Sequence, residues 1–195
     1  DCVVHSSTKF LNGHGTGTSG VVIIKNEEAL YKKIYGIQKM LGGICSPFEA
    51  FLLNNGVKTL PLRMVQHQHN AMKLAQFLAQ HPQVNTVNYL GLEHHPDHLL
   101  AKEQMQGFSG MLSFVLKDGL TAGMNFMRAI KFCTLTASLG TADTLVTHPA
   151  STSHVNVPKE QREKFGISDG LIRMSVGLED TEDIIQDIKQ ALDSL

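Results

Sequence analysis

The residues best suited to chemistry in this sequence lie in one loop. Val4-His5-Ser6-Ser7-Thr8-Lys9-Phe10-Leu11-Asn12-Gly13-His14-Gly15 sets a lysine amine behind three hydroxyl residues, just past a short apolar run. An amine can condense with an aldehyde to form an imine, and Ser6 and Thr8 supply hydroxyl donors close to Lys9. Backbone N–H groups of a loop holding Gly13, Gly15 and Gly17 can add to a cradle for phosphate. A lysine that is desolvated or set beside a cation becomes both a nucleophile and a proton carrier. Against this stands the ordinary fate of a lysine, which is to be a solvated surface group.

A second candidate is Arg173, which interrupts the apolar run Leu171-Ile172-Arg173-Met174. A strand-edge surface position is the bland explanation. A guanidinium between two large apolar residues more often has a partner that its planar fork can grip, such as a carboxylate. The ten histidines raise the question of a metal. His67 and His69 are two apart on an expected helix and so point away from each other. His94, His95 and His98 straddle a proline loop without the spaced ligand pairs of zinc sites. They are expected to be exposed loop residues, and no metal site is assigned. His14 is expected to shape its loop.

These residues require elements to position them. Cys2 to His5 and Gly20 to Ile24 are predicted to be short buried strands around the lysine loop. Glu27 to Met40 has helical spacing through Leu30, Ile34 and Ile37. Pro47 to Leu53 is predicted to be a short helix, with Ser46 as N-cap and Pro47 in its first position. Pro61 to Gln80 is predicted to be one long amphipathic helix, ended by His81-Pro82, and a domain change is placed within it. Beyond it, strands are expected at Val84 to Leu90, Met111 to Leu116, Phe132 to Thr136, Leu145-Val146 and Leu171 to Val176. Helices are expected at Pro96 to Met105, Thr121 to Lys131, Pro158 to Phe165 and Thr181 to Leu192.

The chain has 195 residues, 42% of them apolar, and a formal net charge of −1. That is enough for one or two domains with a core, and no basic surplus points to nucleic acid or to an anionic membrane. Cys2, Cys45 and Cys133 form no CxxC and are expected to be small buried hydrophobes in a reducing, cytoplasmic setting. No apolar run is long enough to span a bilayer. A chain that opens at Asp1 directly into a strand has the look of a fragment, a processed product or the remainder of something longer.

Asp1 through Gly15 resembles the lysine signature of the Cys/Met metabolism enzymes that depend on pyridoxal phosphate (PLP). The family includes cystathionine γ-synthase and γ-lyase, methionine γ-lyase and O-acetylhomoserine sulfhydrylase. The match runs through Ser6-Ser7-Thr8-Lys9-Phe10-Leu11-Asn12-Gly13-His14 and departs at Cys2, where the family has an aliphatic residue. Thr136 to Leu145 is similar to the family's Ser-Leu-Gly segment. His148 to His154 is similar to its Pro-Ala-Ser-x-Thr-His element, with Ser153 in place of Thr. Gly166 to Asp180 is similar to its C-terminal run, and in Lys164 to Leu171 most of all to methionine γ-lyases.

The resemblance implies PLP-dependent transferase fold type I, an α/β architecture. Residues 1–62 would be the end of the large PLP-binding domain and residues 63–195 the small C-terminal α/β domain. It implies that Lys9 attaches PLP and moves protons, that Ser6 and Thr8 bind the phosphate, and that Arg173 and Ser138 hold the carboxylate of an amino-acid substrate. Cystathionine-handling members carry a Glu just before Ser-Leu-Gly, where it can pair with a distal ammonium. Ala137 stands there in this sequence and favours substrates without one.

The activity expected is α,γ-elimination of L-methionine to a thiol, ammonia and 2-oxobutanoate. Replacement at the γ-carbon, as in O-acetylhomoserine sulfhydrylase or the cystathionine enzymes, is the alternative. A non-catalytic fragment or assembly module is the alternative of another class. The family's cofactor-binding Asp and Tyr residues lie upstream of the lysine block. An N-terminal half, in cis or as a second chain, is therefore expected, as is a homotetramer.

Overall fold

The β-branched runs at the start of the chain form strands β1 (Cys2–Ser6) and β2 (Gly20–Ile24), antiparallel from Cys2 opposite Ile24 to Ser6 opposite Gly20. The computed structural model describes residues 2–195; Asp1, the first residue of the lysine signature, lies outside them. Both strands were expected to be buried and are not: Val4 is 70% exposed and Ile23 is 54% exposed. The reason is topological. β1 and β2 form a two-stranded sheet of their own, and such a ribbon lacks the second layer that buries a continuous apolar run.

Helix α1 (Glu28–Leu41) follows and ends at Gly42, whose φ of 73° suits the left-handed stop residue of a helix. It buries no side chain completely. Helix α2 (Pro47–Lys58) starts as expected, with Pro47 in its first turn and a reciprocal box between Ser46 and Glu49. It runs past Leu53 to Lys58. Two compact units divide here, one ending at Leu60 and the other spanning Pro61–Leu195. Within residues 2–60 the buried residues are Ser7, Asn12, Gly13 and Gly56, and none is a large apolar side chain. Hydrogen bonds, rather than an apolar core, define this unit locally.

The second unit has a core. Helix α3 (Leu60–Gln80) is followed by β3 (Val84–Asn88), α4 (His98–Gln104), β4 (Met111–Leu116), α5 (Gly119–Ala129), β5 (Thr134–Leu135), β6 (Leu145–Thr147), a 3₁₀ turn (Pro149–Ser151), α6 (Lys159–Lys164), β7 (Leu171–Ser175) and α7 (Thr181–Asp193). The strands make one mixed sheet in the order β3-β4-β7-β6-β5, antiparallel except for the β5–β6 pair. Strict alternation sends Leu112, Phe114 and Leu116 of β4, with Ile172 and Met174 of β7, into the core. There they join Leu74 and Leu78 of α3, Phe126 of α5 and Ile188 and Leu192 of α7. The opposite face carries a row set by register: Asn88 pairs Ser113, Ser113 pairs Arg173, and Arg173 pairs Thr147.

Of the cysteines, Cys133 is buried, but Cys2 is exposed and Cys45 half-buried, against expectation. Cys2 lies on the uncovered ribbon, and Cys45 lies in the open segment before α2. Burial and the Asp187 carboxylate push the Cys133 thiol far up. Among the described residues no three His, Cys, Asp or Glu side chains come together as a metal-holding group, and no helix is long and apolar enough to cross a membrane.

Candidate active site

The lysine loop closes the β1–β2 ribbon and is stitched by its own polar groups. Thr8 N–H donates to Ser19 O at 3.2 Å, Thr8 Oγ1 donates to the same oxygen, and Ser19 N–H donates back to Thr8 Oγ1 at 3.0 Å. Ser7 and Ser19 hydroxyls meet at 2.7 Å. The chain then turns tightly. Lys9 N–H donates to Ser6 O, Asn12 N–H to Ser7 O and Gly13 N–H to Lys9 O at 2.8 Å. Both backbone polar groups of Lys9 are thus engaged, which fixes the base of its half-buried side chain.

Asn12 is the hub of this turn and is only 2% exposed. Its Oδ1 accepts from His14 N–H and from Thr16 Oγ1, and its carbonyl accepts from His14 Nδ1 at 2.6 Å. A carbonyl can only accept, so Nδ1 carries the proton and His14 shapes the loop. Helix α2 closes on the turn through Gly56. A Cβ there would overlap Asn12 O and lie 2.9 Å from the Asn12 carbonyl carbon. Glu49 ties the other end of the loop by accepting from Thr18 N–H at 3.2 Å. Led by that bond, its hydrogen bonds hold its carboxyl below the ordinary value.

Ser6 ends β1, exposed, and its hydroxyl makes no hydrogen bond among the described residues. The Thr8 hydroxyl is committed to Ser19, so a phosphate that draws on the same proton takes it from Ser19 O. A primary amine, an open hydroxyl and a tight loop with Gly13 and Gly15 in left-handed conformation form a donor set that fits an aldehyde bearing a phosphate.

The second set of residues lies on the sheet. Arg173, half-buried on β7, donates from Nη2 to Ala137 O and to Ser138 O, both at 2.9 Å. Its Nε is buried with no hydrogen-bond partner among the described residues. Burial pulls this guanidinium below its usual value, yet an arginine stays charged at any physiological pH. A buried donor left unmatched costs about 1–3 kcal/mol, and a carboxylate is the acceptor a guanidinium fork fits best. The segment from Thr136 to Gly140 that supplies those carbonyls is held by two more residues of the sheet. Thr147 Oγ1 donates to Thr136 O, and Gly140 N–H donates to Ser175 Oγ at 2.7 Å. An open cleft of about 260 Å³ beside Ala137 is lined by Met127, Leu135, Val146 and Thr147 among others.

The structure therefore groups Ser6, Thr8 and Lys9 in one loop, and Ser138 and Arg173 in a second cluster around the β7 strand. The sequence reading did not single out Asn12, Ser19, Gly56, Thr147 or Ser175. Ser175 had a readable signal: it lies two residues beyond Arg173, so the strand period sets both on one face.

The model of the family described as "Cys/Met metabolism PLP-dependent enzyme" matches residues 1–193. An L-methionine gamma-lyase of Treponema denticola is 47% identical over 195 residues, which is 100% of this chain and 49% of the relative. One from Fusobacterium nucleatum subsp. polymorphum is 46% identical over the same shares. A cystathionine gamma-lyase of Dictyostelium discoideum is 45% identical over 99% of this chain and 50% of its own length. The chain spans about half the length of the curated relatives it matches.

Proposed function

Because this chain belongs to the Cys/Met metabolism family of PLP-dependent enzymes, we propose that it is the C-terminal part of a lyase that eliminates the γ-substituent of L-methionine. Its mixed α/β architecture agrees with the fold type I that the family implies. In this reading residues 1–62 end the large domain and residues 63–195 form the small one. The observation that carries the reading is Arg173, pinned by two carbonyls and left with a buried Nε in want of an acceptor. That is the state of an arginine prepared for a carboxylate.

PLP supplies an electron sink for the carbanion that forms when an amino acid loses its α-proton. Lys9 is the residue that attaches it, and its Nζ takes and returns substrate protons. Ser6 donates to the phosphate, and Thr8 holds the loop through Ser19 and joins the phosphate contacts. Arg173 orients the substrate by its α-carboxylate, with Ser138 at its side. Ala137, exposed and uncharged, offers nothing to a second ammonium. A substrate without a distal ammonium, such as methionine, is therefore preferred to cystathionine.

The other half of the relatives' length corresponds to the further polypeptide this reading requires, in cis or as a second chain. The uncovered apolar faces of residues 2–60 support that requirement. The family resemblance implies a homotetramer, and three cysteines outside any disulfide suit a cytoplasmic setting.

The test is to incubate the full-length protein with L-methionine and assay 2-oxobutanoate. Keto acid release is expected. Sulfide-dependent homocysteine from O-acetylhomoserine, without keto acid from methionine, replaces this reading with γ-replacement. A colourless intact protein that borohydride cannot fix to PLP replaces it with a non-catalytic module.

A further inference from the structure

We propose that Ser175 is a positioning residue for substrate carboxylate recognition, acting through the Thr136–Gly140 segment; this rests on the carboxylate role of Arg173. Ser175 is 1% exposed at the end of β7, and its Oγ accepts from Gly140 N–H at 2.7 Å, a buried bond. Gly140 adopts φ 80°, a left-handed conformation that glycine takes without strain. Two and three residues before Gly140 lie the Ser138 and Ala137 carbonyls on which Arg173 Nη2 rests. Thr147 fixes the start of the same segment at Thr136 O. The segment is therefore held at both ends by sheet side chains and in its middle by Arg173.

Ser175 and Arg173 are two residues apart on one strand and lie on one face of the sheet. That strand is paired on both sides: Ser175 opposes Met111 of β4 and Leu145 of β6. The hydroxyl thus transfers the rigidity of a central strand to a loop without regular structure of its own. Remove its acceptor, and the Gly140 N–H is left buried and unmatched unless the segment shifts. A shift there moves the two carbonyls that aim the guanidinium.

The test is made on the full-length, PLP-loaded protein by calorimetric binding of L-norleucine and of n-pentylamine, which is norleucine without its carboxylate. The ratio of the two affinities reads carboxylate recognition alone. Ser175→Ala is expected to lower the ratio about tenfold, the effect of one lost buried hydrogen bond. Ser175→Cys keeps the volume but is a weak acceptor, so it is expected to lower the ratio similarly, and it decides the matter if the alanine variant fails to fold. Arg173→Lys serves as the reference and is expected to abolish most of the preference. If the serine variants weaken both ligands equally, or leave the ratio intact while Arg173→Lys collapses it, Ser175 has only a structural role and the proposal is overturned. If Arg173→Lys leaves the ratio intact, the carboxylate role of Arg173 fails, and this inference fails with it.

Discussion

Replacing Gly56 by alanine is expected to disable the lysine loop at a moderate cost in stability. An alanine Cβ at this position would lie 2.9 Å from the Asn12 carbonyl carbon and 3.0 Å from its Cα, and closer still to the oxygen. Carbon–carbon contacts relax at about 3.5–4.0 Å, so Asn12 or the helix must retreat by roughly 1 Å. Asn12 cannot retreat alone, because its N–H is bound to Ser7 O and the next amide, Gly13 N–H, to Lys9 O. Overpacking of this kind costs about 1–3 kcal/mol, against which alanine gains up to about 1 kcal/mol over glycine in a helix. With the full helix gain the net loss of stability is about 0–2 kcal/mol. The displacement reaches the turn that bears Lys9, and misplacing a reacting group by about 1 Å costs on the order of a hundredfold in rate. Keto acid release by the full-length variant should therefore fall by roughly that factor, while its urea midpoint moves modestly. Gly36→Ala is the control. Nothing lies within 4 Å of a Cβ at that position, so it should be neutral or slightly stabilising. Near-normal turnover by Gly56→Ala would refute the claim that the helix fixes the lysine turn.

Arg173→Lys keeps the charge but loses the fork, so KM for an amino-acid substrate should rise roughly a hundredfold with a smaller change in kcat; an unchanged KM removes the carboxylate role. Ala137→Glu should raise kcat/KM for cystathionine relative to methionine, measured side by side, and an unchanged ratio would show that this position does not read the distal end of the substrate. The Asp187 carboxylate accepts from the backbone N–H groups of Lys131, Phe132 and Cys133 at 2.8–3.0 Å, so Asp187→Ala should cost about 2–4 kcal/mol in urea unfolding. Glu49 has a lowered folded pKa, so its tie to Thr18 is present above the ordinary glutamate value and is lost as pH falls through the lowered one. The Thr18 amide resonance should titrate with a midpoint below that of an unperturbed glutamate; an ordinary midpoint removes the tie.

Much of the fold was legible in the sequence where a local rule and the tertiary environment agree. The Ser46–Pro47–Glu49 start of α2 follows from cap chemistry alone, and β4 and β7 alternate because one face meets the core. The lysine loop was readable as a motif, but its internal bonding was not, because Thr8 pairs with Ser19 eleven residues away. The apolar runs of β1 and β2 suggested burial, yet burial depends on what lies beside a strand, which its own residues do not state. Helix α2 outruns its expected end through Gly56, ordinarily a poor helix residue, whose missing side chain admits the Asn12 carbonyl. Arg173 was visible as an oddity in an apolar strand, whereas the role of Ser175 depends on where Gly140 returns to the sheet.

The order of the strands also bears on how the chain is made. β7 is the last strand in the sequence, yet it sits in the middle of the sheet, between β4 and β6. A growing polypeptide that has already emerged through β6 still has a gap where the central strand belongs. Only the closing of long loops by the final stretch fills it, a slow step for any chain. The strand that fills the gap is also the one that carries Arg173 and Ser175. A product cut short by a premature stop or by a protease before Leu171 therefore lacks the centre of its sheet, and with it both of those side chains.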